Sequence, residues 1–204
     1  MSLFSKLAEK SWLAPGMPGE FEGRTFQPEP AAKTGLAMFL AVLTSMFFLF
    51  VVGYRMRMMQ PDWVPIADPG LLWVNTALLI ASSVMMQRAK NAAEEGLFAK
   101  VRDNLSMAGV FTIAFLIGQL VAWQILKGSG FFSLTNAPTA FFMLLTGLHA
   151  LHLMGGLLVW ARATWRAWHG EEVKRIRLSV ELCTTYWHYL LLVWVVFFAL
   201  LLMT

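Results

Sequence analysis

Five long hydrophobic runs dominate this chain and leave few folds open to it. A run of about 20 apolar residues is long enough to cross the hydrocarbon core of a bilayer as a helix. Lipid offers no hydrogen-bond partners to free backbone groups, so a crossing segment must satisfy its own. We therefore predict an all-α integral membrane bundle of five transmembrane helices. The predicted spans cover residues 34–54, 69–88, 105–126, 139–162 and 179–203.

The composition agrees with a membrane protein and excludes several kinds of function. Only 14% of the 204 residues are charged, against about 25% in a soluble domain. The single cysteine, Cys183, excludes an intrachain disulfide and a Cys-cluster metal site. The sequence has no Gly-rich phosphate loop, no Ser/His/Asp nucleophile pattern and no zinc-protease motif. These absences exclude several common classes of enzyme, and the Lys and Arg residues between the hydrophobic runs do not indicate a nucleic-acid partner.

The distribution of positive charge predicts the orientation. Of the 16 Lys and Arg residues, all but Arg55, Arg57 and Lys127 fall on the same side of the predicted bundle as the N-terminus. Cytoplasmic loops carry the excess of Lys and Arg, so the N-terminus should be cytoplasmic and the C-terminus periplasmic. Residues 1–33 then form a polar cytoplasmic segment, and residues 34–204 form the transmembrane domain.

Two helical stripes carry the ionisable residues inside the spans. They are Thr146, His149 and His152 on the fourth helix, and Glu181, Thr184, Thr185 and His188 on the fifth. At 1.5 Å per residue, His152 and His188 each lie about 14 Å from the cytoplasmic end of their predicted spans. If the two helices are antiparallel neighbours, the stripes can meet, and we predict that they do.

Three interpretations of these histidines compete, besides contact with lipid headgroups. A metal or haem site could use His149, His152 and His188, but two histidines three residues apart without a carboxylate are a weak ligand pattern. A proton relay is a second interpretation, since histidine titrates near neutral pH, but the intermediate carriers are missing. The third is a buried hydrogen-bond network that docks two helices. We favour the third, because an unpaired buried polar group costs roughly 2–7 kcal/mol on transfer scales.

Three local patterns together resemble a known family. The segment FMLLTGLHALHL resembles the F-x-x-L-T-G-x-H-x-x-H signature of haem-copper oxidase subunit III. The segment ELCTTYWHYLLLVW resembles the last helix of that family, with Glu181, His188 and Trp194 at the expected spacing. The segment LLWVNTALLIASS resembles its helix that contains Asn-Thr followed by Ser-Ser. The similarity extends over residues 34–203, in the five-helix version of the family that is common in bacteria.

The resemblance implies a subunit of a terminal oxidase in the bacterial inner membrane, without catalytic residues, haem or metal of its own. It implies that the chain packs against and stabilises subunit I, contacts subunit II, binds phospholipid, and belongs to an aerobic respiratory chain or a supercomplex of it. Haem and copper are expected in the partner subunits. The polar residues of this chain are then expected to form a structural and lipid-contacting network. Its members are His149, His152, Glu181, His188, Thr146, Asn75 and Trp187.

Three departures from the family pattern bear on function. Apolar residues stand where the family usually has intramembrane acids, at Leu43, Ala122 and Leu191. A role in collecting or relaying protons is weakened by these changes, whereas the structural and lipid roles are not. Two other functions stay open at this point. One is an accessory protein of a nitric oxide reductase, and the other is a stand-alone metalloprotein with histidine ligands.

Overall fold

The structure, a computed structural model, describes residues 28–60, 70–128, 137–169 and 173–203. Predictions that concern residues 1–27 lie outside these ranges. Within them the chain forms five helices, so the all-α prediction is confirmed for the described residues. The helices are α1 (Pro28–Met58), α2 (Leu71–Glu94), α3 (Phe98–Gly128), α4 (Ala137–His169) and α5 (Val173–Leu202). The chain divides into two compact units, residues 1–35 and 36–204, and all contacts described below belong to the second.

Most of the helices extend beyond the predicted hydrophobic spans. Helix α3 has 31 residues and α4 has 33, which at 1.5 Å per residue gives about 46–50 Å. A length of this order crosses the hydrocarbon core and continues into the headgroup region on both sides. Helix α1 begins at Pro28, six residues before the first predicted span. Proline is well suited to a first helical turn, because the N–H that it lacks has no partner there.

Among the described residues, four helices are long and apolar enough to cross a membrane. They are Ala31–Met58, Phe98–Gly128, Ala140–His169 and Ile176–Leu202. Helix α2 is not in this group, although its position in the sequence matches the second predicted span. Its buried face carries the polar residues Asn75, Thr76, Ser82 and Ser83. These side chains make the helix less apolar, but they are covered by other helices.

A tight turn joins α2 to α3 and makes the two helices antiparallel. Gly96 has a φ of 74°, in the left-handed region where side chains are strained. The N–H of Leu97 donates to the carbonyl of Ala92 at 2.9 Å, and the N–H of Gly96 donates to that of Ala93 at 3.4 Å. This pair of bonds is the Schellman motif, which ends a helix at a glycine. Helix α3 starts at once with Phe98, so α2 and α3 form a hairpin.

Close backbone approaches connect α2 with α3 and α5, and α4 with α3 and α5. Two clusters of buried apolar side chains fill this four-helix bundle, one around Leu105 and Val180 and the other around Phe115 and Leu190. Small residues allow the approach. A methyl group on Gly109 would overlap the indole ring of Trp160 on α4.

Helix α1 packs against α4 and α5 through a third cluster. Its own buried members are Leu43, Phe47 and Tyr54. The cluster is completed from α4 and α5 by Leu145, Val193, Phe197 and Leu200. Several of the contacts are edge-to-face pairs of rings, such as Phe47 with Phe197 at 5.3 Å between centroids. Helix α1 is therefore attached to the bundle largely by aromatic side chains.

Candidate functional site

A buried hydrogen-bonded cluster joins α2, α3 and α5 at the middle of the bundle. The hydroxyl of Ser82 lies 2.7 Å from the hydroxyl of Thr112 and 2.9 Å from the carbonyl oxygen of Ala108. The indole Nε1 of Trp187 donates to both hydroxyls, at 3.0 Å to Ser82 and 3.1 Å to Thr112. All three side chains are buried. We call Ser82, Thr112 and Trp187 the Ser82 cluster.

Nearer the N-terminal end of α2, two further hydrogen bonds join this helix to α5 and α3. Trp194 Nε1 donates to the hydroxyl of Thr76 at 3.0 Å, which joins α5 to α2. Asn75 Nδ2 donates to Oε1 of Gln119 at 3.3 Å, which joins α2 to α3. A methyl group on Gly118 would overlap the Asn75 amide, so glycine is needed for this contact. Asn75 is thus bonded to α3, and Trp187 to both α2 and α3.

His188 belongs to a second chain of hydrogen bonds between α5 and α2. Its Nε2 donates to Oε1 of Gln87 at 3.0 Å, and Gln87 in turn donates to Oδ1 of Asn91 at 2.9 Å. Its Nδ1 accepts from the hydroxyl of Ser83. The amide oxygen of Gln87 can only accept, so these partners fix the proton on Nε2. Both ring nitrogens of His188 are satisfied, although much of the ring is exposed.

The two histidines of α4 have different surroundings. His149 is completely buried, and neither ring nitrogen has a hydrogen-bond partner among the described residues. Aromatic rings surround it, with Trp194 at 5.4 Å and Phe115 at 6.1 Å between centroids. His152 donates from Nδ1 to the carbonyl of Leu148, one turn earlier, at 2.7 Å.

Thr146, the third member of the α4 stripe, is bonded to its own helix and to α3. Its hydroxyl donates to the carbonyl of Phe142 at 2.6 Å and accepts from Nε1 of Trp123 at 3.0 Å. A threonine hydroxyl that bonds to the carbonyl four residues earlier has no need of a water or ligand in an apolar helix. Thr146 therefore positions Trp123 between α3 and α4.

The predicted meeting of the two polar stripes is wrong. His188 bonds to α2, and the ring of His152 bonds to its own helix. The contact between α4 and α5 is made instead by Tyr186, whose hydroxyl donates to the backbone carbonyl of His152 at 3.0 Å. The stripe of α5 is rotated away from α4 because Trp187 and Trp194 occupy the interior of the bundle. Glu181 is half-buried on this rotated face.

The arrangement does not assemble a metal-ligand set from the described residues. In these ranges no three His, Cys, Asp or Glu side chains form a group that could hold a metal ion. Each of the three histidines has its own surroundings: an aromatic cage for His149, a carbonyl of its own helix for His152, and α2 for His188. This geometry offers no support for the metalloprotein interpretation.

An apolar cleft of about 400 Å³ lies between α1, α4 and α5. Leu36 and Phe39 line it from α1, and Val159 and Gly155 from α4. The polar groups at its wall come from His152 and Tyr186. Such a shape suits a flexible hydrocarbon chain, since the wall is apolar and open on one side.

Sequence reasoning missed several members of these networks. Thr112 and Gln119 on α3 were not recognised as partners of α2, and neither was the hydroxyl of Tyr186. Such partners could have been found by comparing depths: two polar residues in the apolar runs of neighbouring helices can bond when they lie at the same depth in the membrane. Ser82 and Thr112 are such a pair, because α2 and α3 are joined by a short turn and their depths follow from it.

The sequence is similar to proteins of one known family. The family model described as "Cytochrome c oxidase subunit III" matches residues 31–203. A cytochrome c oxidase subunit 3 of Synechocystis sp. is 30% identical over 189 residues, which cover 90% of this chain and 79% of that protein. One of Thermostichus vulcanus is 28% identical, covering 82% of this chain and 84% of that protein. A probable cytochrome c oxidase subunit 3 of Mycobacterium tuberculosis is 28% identical over 123 residues, 60% of this chain and 61% of that protein. With four helices able to cross a membrane, the chain is a multi-pass membrane protein.

Proposed function

The chain belongs to the cytochrome c oxidase subunit III family, and from this premise we propose that it is the third subunit of a bacterial terminal oxidase that reduces oxygen. In this role it packs against subunit I, contacts subunit II and keeps subunit I stable. Haem and copper belong to those partner subunits. The chain itself carries no redox group and lies in the bacterial inner membrane.

The observation that supports this role most directly is the use of the buried polar side chains. The Ser82 cluster, the bond from Trp194 to Thr76 and the bond from Asn75 to Gln119 each join two or three helices. In the Ser82 cluster and between Trp194 and Thr76, each indole N–H is bonded to a hydroxyl of another helix. Such groups fix how helices dock, because interhelical hydrogen bonds and close packing replace the hydrophobic effect inside a bilayer. They are the features of a structural subunit.

Co-purification tests the proposal and its rivals. A tag on this chain should isolate subunits I and II, with haem absorbance in the complex and none in the separated chain. Capture of a nitric oxide reductase in place of an oxidase would support the accessory-protein alternative. One metal ion per separated chain, lost in both His152→Ala and His188→Ala, would support the metalloprotein alternative.

We also propose that α2 crosses the membrane and that the N-terminus is cytoplasmic. Helix α2 has 24 residues, about 36 Å at 1.5 Å per residue, which exceeds the hydrocarbon thickness of about 30 Å. Its polar face is covered by α3 and α5, so lipid meets mainly its apolar residues. The excess of Lys and Arg on the N-terminal side supports the orientation.

Two exposed positions test this topology. Gln60 follows α1 and Glu95 follows α2. With Cys183 changed to Ser, the Gln60→Cys variant should react with an impermeant thiol reagent applied from the periplasmic side, and the Glu95→Cys variant should react only after the membrane is opened. Equal labelling of both positions from one side would mean that α2 does not cross, and the reverse pattern would invert the orientation.

Phospholipid is the ligand that we propose for the cleft between α1, α4 and α5. The apolar wall favours an acyl chain, and Gly155 provides a test because a Cβ at this position would meet no atom within 4 Å. Gly155→Leu should therefore fill the cleft without disturbing the helices. We expect fewer lipid molecules per chain in the purified complex, counted by mass spectrometry, than in the wild type. An unchanged lipid count would remove the cleft as the binding site.

A further inference from the structure

Except for the buried Thr184, the polar stripe of α5 lies at the outer surface of the bundle. Thr185 and His188 are exposed and Glu181 is half-buried, at the helical spacing that places them on one side of α5. The hydroxyl of Thr185 donates to the carbonyl of Glu181 at 3.1 Å, within the same helix. Exposed residues of α2, Ile80 and Val84, border the same side because the neighbouring Ser83 bonds to His188.

This exposed imidazole lies deep in the bilayer. The membrane-crossing part of α5 runs from Ile176 to Leu202, and His188 is close to its midpoint. At 1.5 Å per residue, the ring is roughly 18 Å from the level of Ile176. Ionisable side chains at such depth in membrane proteins almost always face other protein or a water-filled cavity.

The outward faces of α3 and α4 provide the contrast. The strongly exposed residues near the middle of these helices are apolar. On α3 they are Val110, Ile113, Ile117, Leu120 and Val121, and on α4 they are Leu144, Leu151, Met154 and Leu158. These faces suit lipid chains. The groove between α2 and α5 differs from them in carrying an imidazole and a hydroxyl at mid-depth.

We infer that the groove between α2 and α5, centred on His188, is the surface on which this chain docks to another subunit of its complex. The occupant is a transmembrane helix of that subunit, with small or hydrogen-bonding side chains at the depth of His188. The inference rests on the proposed function, since it requires a membrane complex. Beyond that function, it specifies which face of the chain makes the contact and which chemical groups take part.

The groove fits a helix better than it fits lipid. The nitrogens of His188 are held by Ser83 and Gln87, so the exposed part of the ring offers contact area to a neighbour. The hydroxyl oxygen of Thr185 retains the capacity to accept a bond. Small residues on a partner helix would let the two backbones approach and cover both groups. Leu192 (61% exposed) and Val195 (45% exposed) continue the groove with apolar contact area.

Site-specific photocrosslinking in the assembled complex tests the inference. The photoreactive residue p-benzoylphenylalanine would replace Thr185 or Leu192 in the groove, and Ile117 or Met154 as controls. The controls are 57% and 56% exposed on α3 and α4. We expect crosslinks to a second protein from positions 185 and 192, at least tenfold more abundant than from 117 and 154. Absence of protein crosslinks at 185 and 192, or stronger ones at the controls, overturns the inference.

The identity of the crosslinked protein separates this inference from the proposed function. Crosslinks from 185 and 192 to a protein that is not an oxidase subunit would contradict the function and leave the docking face in place. Crosslinks to oxidase subunit I only from 117 or 154 would support the function and reject the face. A second variant avoids dependence on the probe. Leu192→Trp should lower the amount of co-purified partner at least tenfold at an unchanged membrane level of this chain, whereas Ile117→Trp should not.

Discussion

The interface between α2 and α5 is hydrogen-bonded along much of its length, whereas α1 meets α4 and α5 mostly through rings. From Thr76 to Met86 on α2, the partners on α5 run backward from Trp194 to Thr184. On α1 the corresponding contacts are Phe47 with Phe197 and Tyr54 with Phe141. The hydroxyls of Thr44 on α1 and Tyr189 on α5 are hydrogen-bonded at 3.1 Å.

The difference indicates how each part can move. A hydrogen bond between helices is satisfied in one register only, so the α2–α5 interface resists sliding. Aromatic contacts bury area but tolerate small displacements, and part of a protein can open at a lower free energy than the whole fold. The cleft lies beside α1, where an acyl chain could enter without disturbing the bonds between α2, α3 and α5.

Phe47→Ala should have the largest effect and should act locally. Phe47 is 4% exposed and packs on Phe197 and on the ring of His152. Replacing a buried phenylalanine by alanine costs about 3 kcal/mol or more. This corresponds to roughly a hundredfold increase in the equilibrium constant for opening of α1. Cys183 lines the cleft beside α1, so its alkylation by N-ethylmaleimide reports that opening. We expect labelling to be roughly a hundredfold faster.

The matched control for this variant is Phe48→Ala, since Phe48 is on the same helix and 64% exposed. It should leave the labelling rate near that of the wild type. In both variants, the bundle of α2, α3, α4 and α5 should keep its helix content and its binding to partner subunits. If Phe47→Ala unfolds the whole chain with no separate opening of α1, the two regions are not held independently.

Gly156→Ala should have the next largest effect and tests a third interface, between α4 and α5. A Cβ at Gly156 would lie 2.7 Å from a ring carbon of Tyr186 and 3.3 Å from one of Trp187. The rings must shift, at a cost of about 1–3 kcal/mol in unfolding free energy. Gly155→Ala is the control, since a Cβ there meets nothing within 4 Å. It should be neutral, or stabilising by roughly 0.5–1 kcal/mol through helix propensity. The measurement is the free energy of unfolding in mixed detergent micelles. An equal loss of stability in the two variants would contradict the structure.

The sequence was sufficient for the class of fold because lipid restricts the choices. Uninterrupted apolar length predicts spans, as in α3 and α4, whatever the packing. The short connection at Gly96 also makes α2 and α3 neighbours. The same reasoning explains why the helices were predicted too short: hydropathy ends at the hydrocarbon boundary, whereas the helices continue into the headgroup region.

The candidate site was predicted only in part, because periodicity fixes which residues share a face but not which helix that face meets. His188 and Glu181 do share a face. The rotation of α5 is determined by Trp187 and Trp194, whose bulk and indole N–H groups are accommodated beside Ser82 and Thr76. Histidine depth alone suggested a pairing of His152 with His188. The rotation of α5 depends instead on side-chain volume and on the hydrogen bonds of the indole groups, and the spacing of residues in the sequence predicts neither.

The smallest expected effect addresses that pairing directly. A double-mutant cycle on Ser83→Ala and His188→Ala should give a coupling of about 0.6 kcal/mol, the average for hydrogen bonds between helices in a membrane. The cycle on His152→Ala and His188→Ala should give a value near zero, because the rings have separate partners and independent sites add. Both cycles use the same unfolding assay and share one mutation, so errors from His188→Ala cancel in the comparison. A larger coupling in the second cycle would mean that α5 turns its polar stripe toward α4. The groove beside α2 would then no longer present His188, and the docking face proposed for it would be lost as well.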